Sequence, residues 1–290
     1  MIKSDVPNFV ATLKSMSSVE FERLSECIRD FCGIKMPPVK KVMLEARLQK
    51  RLRSLGIGSF REYCDYLFKS PSGEGEYVHM IDCITTNKTD FFREPVHFRF
   101  LADTLLPGFI NAGRAEDGGK LAVWSAGCSS GEEPYTLAMV LSEFTARCPE
   151  LQFSILATDI SANVLKKAQL AIYGEDQVGA VPFDMKQKYL LRGKDKSTRL
   201  VRIMPELRRL VQFQRVNLME ENLLPPESMD AIFCRNVMIY FDRETQNKLI
   251  DRLCRCLKNG GYLFLGHSET IHGFHLPLIR VVSTIYRKEV

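Results

Sequence analysis

Gly127 and Gly131 bracket a short turn, Gly127-Cys128-Ser129-Ser130-Gly131, set between an apolar run and a helix-like segment that opens with Glu132, Glu133 and Pro134. Glycine lets backbone pass close to a ligand, and a helix start presents free N–H groups beside it. Dinucleotide sites space such glycines GxGxxG and aim the helix at a pyrophosphate. Here the spacing is GxxxG, and the two glutamates would repel a pyrophosphate. They suit a cationic or hydroxyl-rich ligand such as S-adenosylmethionine. Alone, the turn fits a structural corner as well as a ligand site. A second apolar run ends in Thr158-Asp159, and an acid at that place accepts hydrogen bonds from both hydroxyls of a ribose. With Asp159 in register, the ligand site is favoured. Cys128 is read as a small residue tolerated in a tight turn rather than as a nucleophile.

Such a turn needs a sheet behind it. Residues 121–125, 153–159, 211–217, 231–234, 262–266 and 281–287 have the apolar texture of strands, and 134–146, 162–171 and 243–258 that of helices. Strands alternating with helices predict a mostly parallel sheet covered on both faces. Residues 189–192 and 199–203 flank the polar turn 193–198 and predict a small antiparallel hairpin whose outer strand has a free edge. Upstream, the chain reads as short amphipathic helices with little strand signal. These are 19–31 with Ser18 as N-cap, 38–55 opened by Pro37-Pro38 and stopped by Gly56 and Gly58, 60–69 capped by Ser59 and ended by a loop over 70–75, and 77–85.

The 290 residues are 45% hydrophobic and 26% charged, the balance of an ordinary globular protein. No apolar run approaches the roughly 20 residues that span a bilayer, and Met1-Ile2-Lys3-Ser4-Asp5 opens no signal peptide. A cytoplasmic location is expected, without membrane insertion. Nine scattered cysteines, an odd number lacking zinc spacing, predict reduced thiols and no metal site.

Several motifs together resemble the CheR family of chemotaxis receptor methyltransferases. They are Thr85-Thr86-Asn87-Lys88-Thr89-Asp90-Phe91-Phe92-Arg93-Glu94, the glycine turn through Tyr135, Ala157-Thr158-Asp159-Ile160-Ser161, Asn217-Leu218, Phe233-Cys234-Arg235-Asn236-Val237-Met238-Ile239-Tyr240-Phe241 and Gly266-His267-Ser268-Glu269. The resemblance implies an α/β fold: a Rossmann-like S-adenosylmethionine-dependent methyltransferase sheet with a small antiparallel β insert (about 174–210), within a domain of residues 85–290. An all-α receptor-recognition domain, 1–84, precedes it. It also implies roles. Asn87, Thr89, Arg93 and Glu132 would line the methionine end of the cofactor, Asp159 would hold the ribose, and Asn217 and Leu218 would frame the adenine. Arg235 and Asn236 would close the pocket, and Arg93 and Tyr240 would flank the reacting methyl. Plainer alternatives stand beside these: Arg93 as a surface partner of Glu94 or Asp90, Tyr240 as a core aromatic, Asn87 as a helix cap. His267 is read as structural.

The chemistry implied is transfer of a methyl from S-adenosylmethionine to glutamate carboxylates of bacterial chemoreceptors, leaving S-adenosylhomocysteine. A carboxylate with pKa of about 4.3 is already ionised near neutrality, so no general base is required. Alignment and desolvation carry the rate, and alignment alone can supply roughly 7–11 kcal/mol. The stretch Arg235–Tyr240 lacks the Asn/Asp-Pro-Pro-aromatic element of adenine-methylating enzymes, which argues against a DNA substrate. Between residues 39 and 55, six basic residues face one acid. Leu44, Leu48, Leu52 and Leu55 share one side of the helix, and Lys40, Arg47, Lys50 and Arg51 cluster on another. A solvated face explains such a run; an acidic receptor helix as substrate makes recognition the alternative. No aromatic interleaves the basic residues as single-strand nucleic-acid binders require. A methyltransferase of RNA or another protein, and a cofactor sensor without turnover, are the rival functions. The glycine-poor turn 193–198 predicts weak or absent binding of a receptor C-terminal peptide.

Overall fold

The computed structural model describes residues 15–70, 73–114, 119–193 and 195–289. The chain divides into two compact units, Met1–Thr85 and Thr86–Val290. The N-terminal pentapeptide read for targeting, Pro71-Ser72 of the loop expected over 70–75, and Lys194 of the polar turn lie outside the described residues.

The first unit is helical: α1 (Ser18–Cys32), a 3-10 turn at Pro38–Lys40, α2 (Lys41–Leu55), α3 (Phe60–Lys69) and α4 (Gly73–Ile84). The cap of α1 is Ser17 rather than Ser18. Only Ser17 stands three residues before Glu20, whose amide donates to the Ser17 Oγ while its carboxylate accepts the Ser17 N–H at 2.6 Å. Gly56 ends α2 in the left-handed conformation with φ 68°. Leu44, Leu48 and Leu52 are fully buried, so the apolar stripe of α2 faces the core of this unit. The fourth helix begins at Gly73, where a loop was expected.

The second unit opens with α5 (Val96–Phe100), a π turn (Leu101–Leu105) and α6 (Leu106–Asn111). There follow β1 (Lys120–Ala126), α7 (Glu132–Thr145), β2 (Gln152–Asp159), α8 (Ala162–Leu170), β3 (Ile172–Gly174), α9 (Phe183–Tyr189), β4 (Leu190–Arg192), β5 (Leu200–Ile203), α10 (Pro205–Arg208), β6 (Val211–Arg215), β7 (Met229–Cys234), α11 (Arg243–Cys256), β8 (Leu257–Leu265), β9 (Leu278–Val282) and β10 (Ile285–Lys288). The main sheet runs β6-β2-β1-β7-β8-β10-β9. Its first five strands are parallel, and β10 pairs antiparallel with both neighbours. Successive residues of a strand point to opposite faces. Thus Val123 and Phe233 join one apolar layer while Trp124 and Ile232 join the other.

Three expectations are corrected. Residues 281–287 are not one strand but parts of β9 and β10, divided at Ser283-Thr284, where Thr284 has φ 63°. The helix expected to reach Lys258 ends at Cys256, and β8 begins at Leu257 with a register irregularity toward β7. The insert is a three-stranded sheet, β3-β5-β4. Its central strand is β5, paired on both sides, so the free edges belong to β3 and β4, and the insert begins at Ile172.

Candidate functional site

The glycine turn is shaped by what crowds it. Gly127 has φ 82° and Gly131 φ 101°, a region costly for side-chain-bearing residues. A Cβ on Gly127 would lie 2.5 Å from Val237 Cγ2, and one on Gly131 2.8 Å from the Tyr173 hydroxyl. Both positions therefore require glycine by conformation and by space. The Thr158 carbonyl, at the end of β2, accepts the N–H groups of Gly127 and Cys128, each at 2.8 Å. Asp159 then reaches across: its Oδ2 accepts from the Ser129 N–H and its Oδ1 from the Ser161 N–H, both at 2.9 Å. Ser129 Oγ donates to the Asn87 carbonyl at 3.1 Å, and the Tyr173 hydroxyl to the Ser130 carbonyl at 2.7 Å. Buried Cys128 has its thiol pushed well above the usual range, first by burial and then by Asp159, as for an inert thiol.

Glu132 and Glu133 part company, because adjacent helical residues point about 100° apart. Glu132 is 2% exposed and its carboxylate accepts from Ser130 Oγ at 2.8 Å. Burial, with Asp90 adding repulsion, raises its pKa. Such a carboxylate is completed by a cation. Glu133 instead accepts from Ser125 Oγ at 2.6 Å and from Arg235 at 2.9 Å, beneath the turn. The expectation that both glutamates face a ligand is corrected by that pairing.

Arg235 lies beneath the turn too. Its side chain is 2% exposed, bound to Glu133 and to Glu94 at 3.1 Å, and it donates to the Arg93 carbonyl. It is a buried tie between α7 and the Arg93-Glu94 corner. Phe92 and Glu94, on either side of Arg93, have φ 53° and 57°, and the guanidinium holds this strained corner from below. For Glu94, burial is the largest influence and acts upward. Arg235 and the His267 N–H together outweigh it, leaving the carboxyl below its usual range. For Glu133, burial prevails and the carboxyl is raised.

Arg93 donates to the Lys88 carbonyl at 3.1 Å and forms no ion pair among the described residues, so the surface pairing with Glu94 or Asp90 is not what the structure shows. Tyr240 is half-buried with its hydroxyl 3.4 Å from the Thr86 carbonyl. Asn236 has φ 60° and donates from its amide to Glu94 and from its backbone to Glu269. Asn217 accepts from the Met219 N–H at 3.1 Å, and the neighbouring Val216 N–H donates to the Asp159 carbonyl, bringing Asn217 and buried Leu218 beside Asp159. Thr89 is half-buried in the same segment as Asn87. Sequence reasoning missed Glu269, which accepts the N–H groups of Gly266, Asn236 and Met238 at 2.6, 2.9 and 2.8 Å and so shapes the loop that carries Tyr240. It also missed Glu94, although each acid closes one of the quoted motifs. Glu94, His97 and His267 bring potential ligand atoms within 4.8 Å of one another; the Glu94 charge there is held by Arg235.

The four basic residues of the first unit divide. Arg51 is bound by buried Glu76 at 2.6 and 2.9 Å, with Tyr63 donating to the same carboxylate. Arg47 donates to the Ile84 and Thr85 carbonyls. Lys40 is half-buried, with its ammonium 3.3 Å from the Lys35 carbonyl, and Lys50 is exposed. Of the four, the two guanidiniums anchor α4 and its end, while Lys50 keeps its charge exposed.

A parallel sheet with a glycine turn after its first strand and an acid closing the second is the frame of a Rossmann-like nucleoside-binding domain, and the family match places it among S-adenosylmethionine-dependent methyltransferases. The residues fit that cofactor in kind: a buried carboxylate at Glu132 would suit its ammonium end, and Asp159 closes β2 beside the turn, where a ribose would lie. Residues 87–286 match the family model described as CheR methyltransferase, SAM binding domain, and residues 19–85 the model described as CheR methyltransferase, all-alpha domain. The chain belongs to the CheR methyltransferase family. It is 42% identical over 270 residues to the chemotaxis protein methyltransferase of Borreliella burgdorferi, covering 93% of this chain and 94% of that one. To the chemotaxis protein methyltransferase of Escherichia coli K12 it is 40% identical over 272 residues, covering 94% and 91%. No helix among the described residues is long and apolar enough to cross a membrane.

Proposed function

We propose that the chain transfers a methyl group from S-adenosylmethionine to glutamate side chains of bacterial chemoreceptors, forming methyl esters. The observation that carries this is the family match of both units, all-α and cofactor-binding, in one chain. Bound S-adenosylmethionine supplies a methyl already activated by its sulfonium. Glu132 receives the ammonium end, with Asn87 and Thr89 beside it. Asp159 holds the ribose, Asn217 and Leu218 the adenine. Asn236, fixed by Glu94 and Glu269, borders the pocket. Arg93 draws the incoming carboxylate, and Tyr240 bounds the space it enters and keeps water out. No group need accept a proton, since the glutamate arrives ionised.

Receptor recognition rests on the exposed part of the α2 basic face, with Lys50 its clearest member and Lys40 at its start, meeting an acidic receptor helix. Arg47 and Arg51 position that face. Peptide capture by strand addition would fall to the edges β3 or β4, each three residues long. Edges so short favour weak or absent binding of a receptor C-terminal peptide, and calorimetric titration with such a pentapeptide should give little heat. Micromolar affinity would overturn that expectation.

Methyl-label transfer from the cofactor to receptor membranes, followed by mild alkali, tests the main reading. Base-labile label is expected. Alkali-stable label would point to another protein site or RNA, and cofactor binding without transfer would indicate a sensor.

A further inference from the structure

Away from the cofactor turn, a cavity of about 440 Å³ opens between α7, α8, α10 and β6. Arg208 and Arg209 line one side; Pro205, Val211 and Phe213 form an apolar floor, with Tyr135 behind. No acidic residue lines it. Neither arginine forms an ion pair among the described residues, and Arg208 Nε is buried with no hydrogen-bond partner there. Two guanidiniums at the cavity wall with no acidic side chain beside them leave local positive charge that suits an oxyanion. A third guanidinium adds to the field, since Arg202 and Arg208 both act on the Tyr135 phenol against the larger upward push of burial. The Phe213 and Tyr135 rings meet edge to face at 5.9 Å, and half-buried Phe213 gives the cavity an aromatic wall beside the cations.

We propose that this cavity binds a small organic phosphate, with its dianionic head between Arg208 and Arg209 and a flat apolar body against Phe213 and Pro205. Two guanidiniums match a phosphate dianion in charge and in fork geometry. The site is separate from the cofactor. Val211 begins β6 while Asn217 follows its end, and the strand from Val211 to Arg215 spans roughly 13 Å at its ordinary rise per residue.

The test titrates phenyl phosphate into the full chain saturated with S-adenosylhomocysteine, with inorganic phosphate and benzyl alcohol as head-only and body-only controls. Phenyl phosphate is expected to bind at least about tenfold more tightly than either control. Arg209→Gln should weaken it about tenfold, the equivalent of one charge-assisted hydrogen bond. Arg209 is exposed, so this variant keeps its fold and its cofactor affinity; Arg208→Gln should weaken binding further. Affinity no better than that of inorganic phosphate, or unchanged in Arg209→Gln, would overturn the site. Displacement by S-adenosylhomocysteine would do the same, by placing the probe in the cofactor pocket.

Discussion

Replacing Arg235 with methionine removes a guanidinium that is 2% exposed and bound to two carboxylates and a carbonyl. Methionine fills much of the volume, so the loss is electrostatic rather than a cavity. Glu133 and Glu94 are then left buried with no counter-charge, a situation that costs about 3–5 kcal/mol when one partner of a buried pair is removed. The single tryptophan, Trp124, is fully buried in β1 with its indole N–H on Thr158 Oγ1 at 2.9 Å. Its emission therefore reports on unfolding of this sheet alone, and urea titration at pH 7 should show the deficit. Arg235→Met with Glu133→Gln should recover about 1 kcal/mol or more, because one of the stranded charges is gone. Acid gives a second check. The Glu133 carboxyl is already raised, and without Arg235 it rises further. A raised carboxyl destabilises only where it must be ionised, so the deficit should be full above its folded pKa and shrink as pH falls below it. An Arg235→Met variant within about 1 kcal/mol of the parent at pH 7 would refute the buried-tie account. So would a double variant no more stable than the single one.

Arg93→Ala and Tyr240→Phe should lower methyl transfer to receptors at least about tenfold while changing S-adenosylhomocysteine affinity by less than about threefold, the signature of groups acting on the reacting pair. Full turnover in either variant would make that residue structural. Cofactor affinity should fall on acidification through the Glu132 pKa, which lies above the ordinary glutamate value because of burial. Below it the carboxyl is neutral and the ammonium loses its partner. Calorimetry across pH 4–7 should therefore show weakening that Glu132→Gln abolishes, and a parallel pH profile in that variant would exclude Glu132. Lys50→Glu should raise the receptor KM in a salt-sensitive way without loss of stability. Arg51→Glu, facing buried Glu76, should destabilise the helical unit by about 3–5 kcal/mol, and thermal melts would separate the two effects.

The central parallel strands were legible because they are buried on both faces; β7 is nearly continuous apolar sequence between Met229 and Cys234. The turn and Asp159 were legible because glycine spacing and strand ends are local. The division between β9 and β10 was not, since Ser283-Thr284 carries neither glycine nor proline. Three-residue β3 lies below what alternation can detect. The larger misreadings concern charge. Helical spacing placed Arg51 on a basic face, but its guanidinium is claimed by Glu76, 25 residues on, and Glu94 finds Arg235 across 141 residues. Periodicity reports which side of an element a residue occupies and says nothing of which distant acid waits there.

The cofactor turn is tied at five points by the chain itself, through the N–H groups of Gly127, Cys128 and Ser129, the Ser129 hydroxyl and the Ser130 carbonyl. Ordering a free loop costs on the order of 1–2 kcal/mol per residue in lost conformational entropy. Here that ordering is completed as the sheet folds, so an arriving ligand meets a finished surface and spends none of its contact energy on assembling one. The same rigidity applies to departure. With the cofactor held as proposed, spent cofactor can leave and fresh cofactor enter without this loop unfolding between turnovers, which confines any slow conformational step to elements other than this turn.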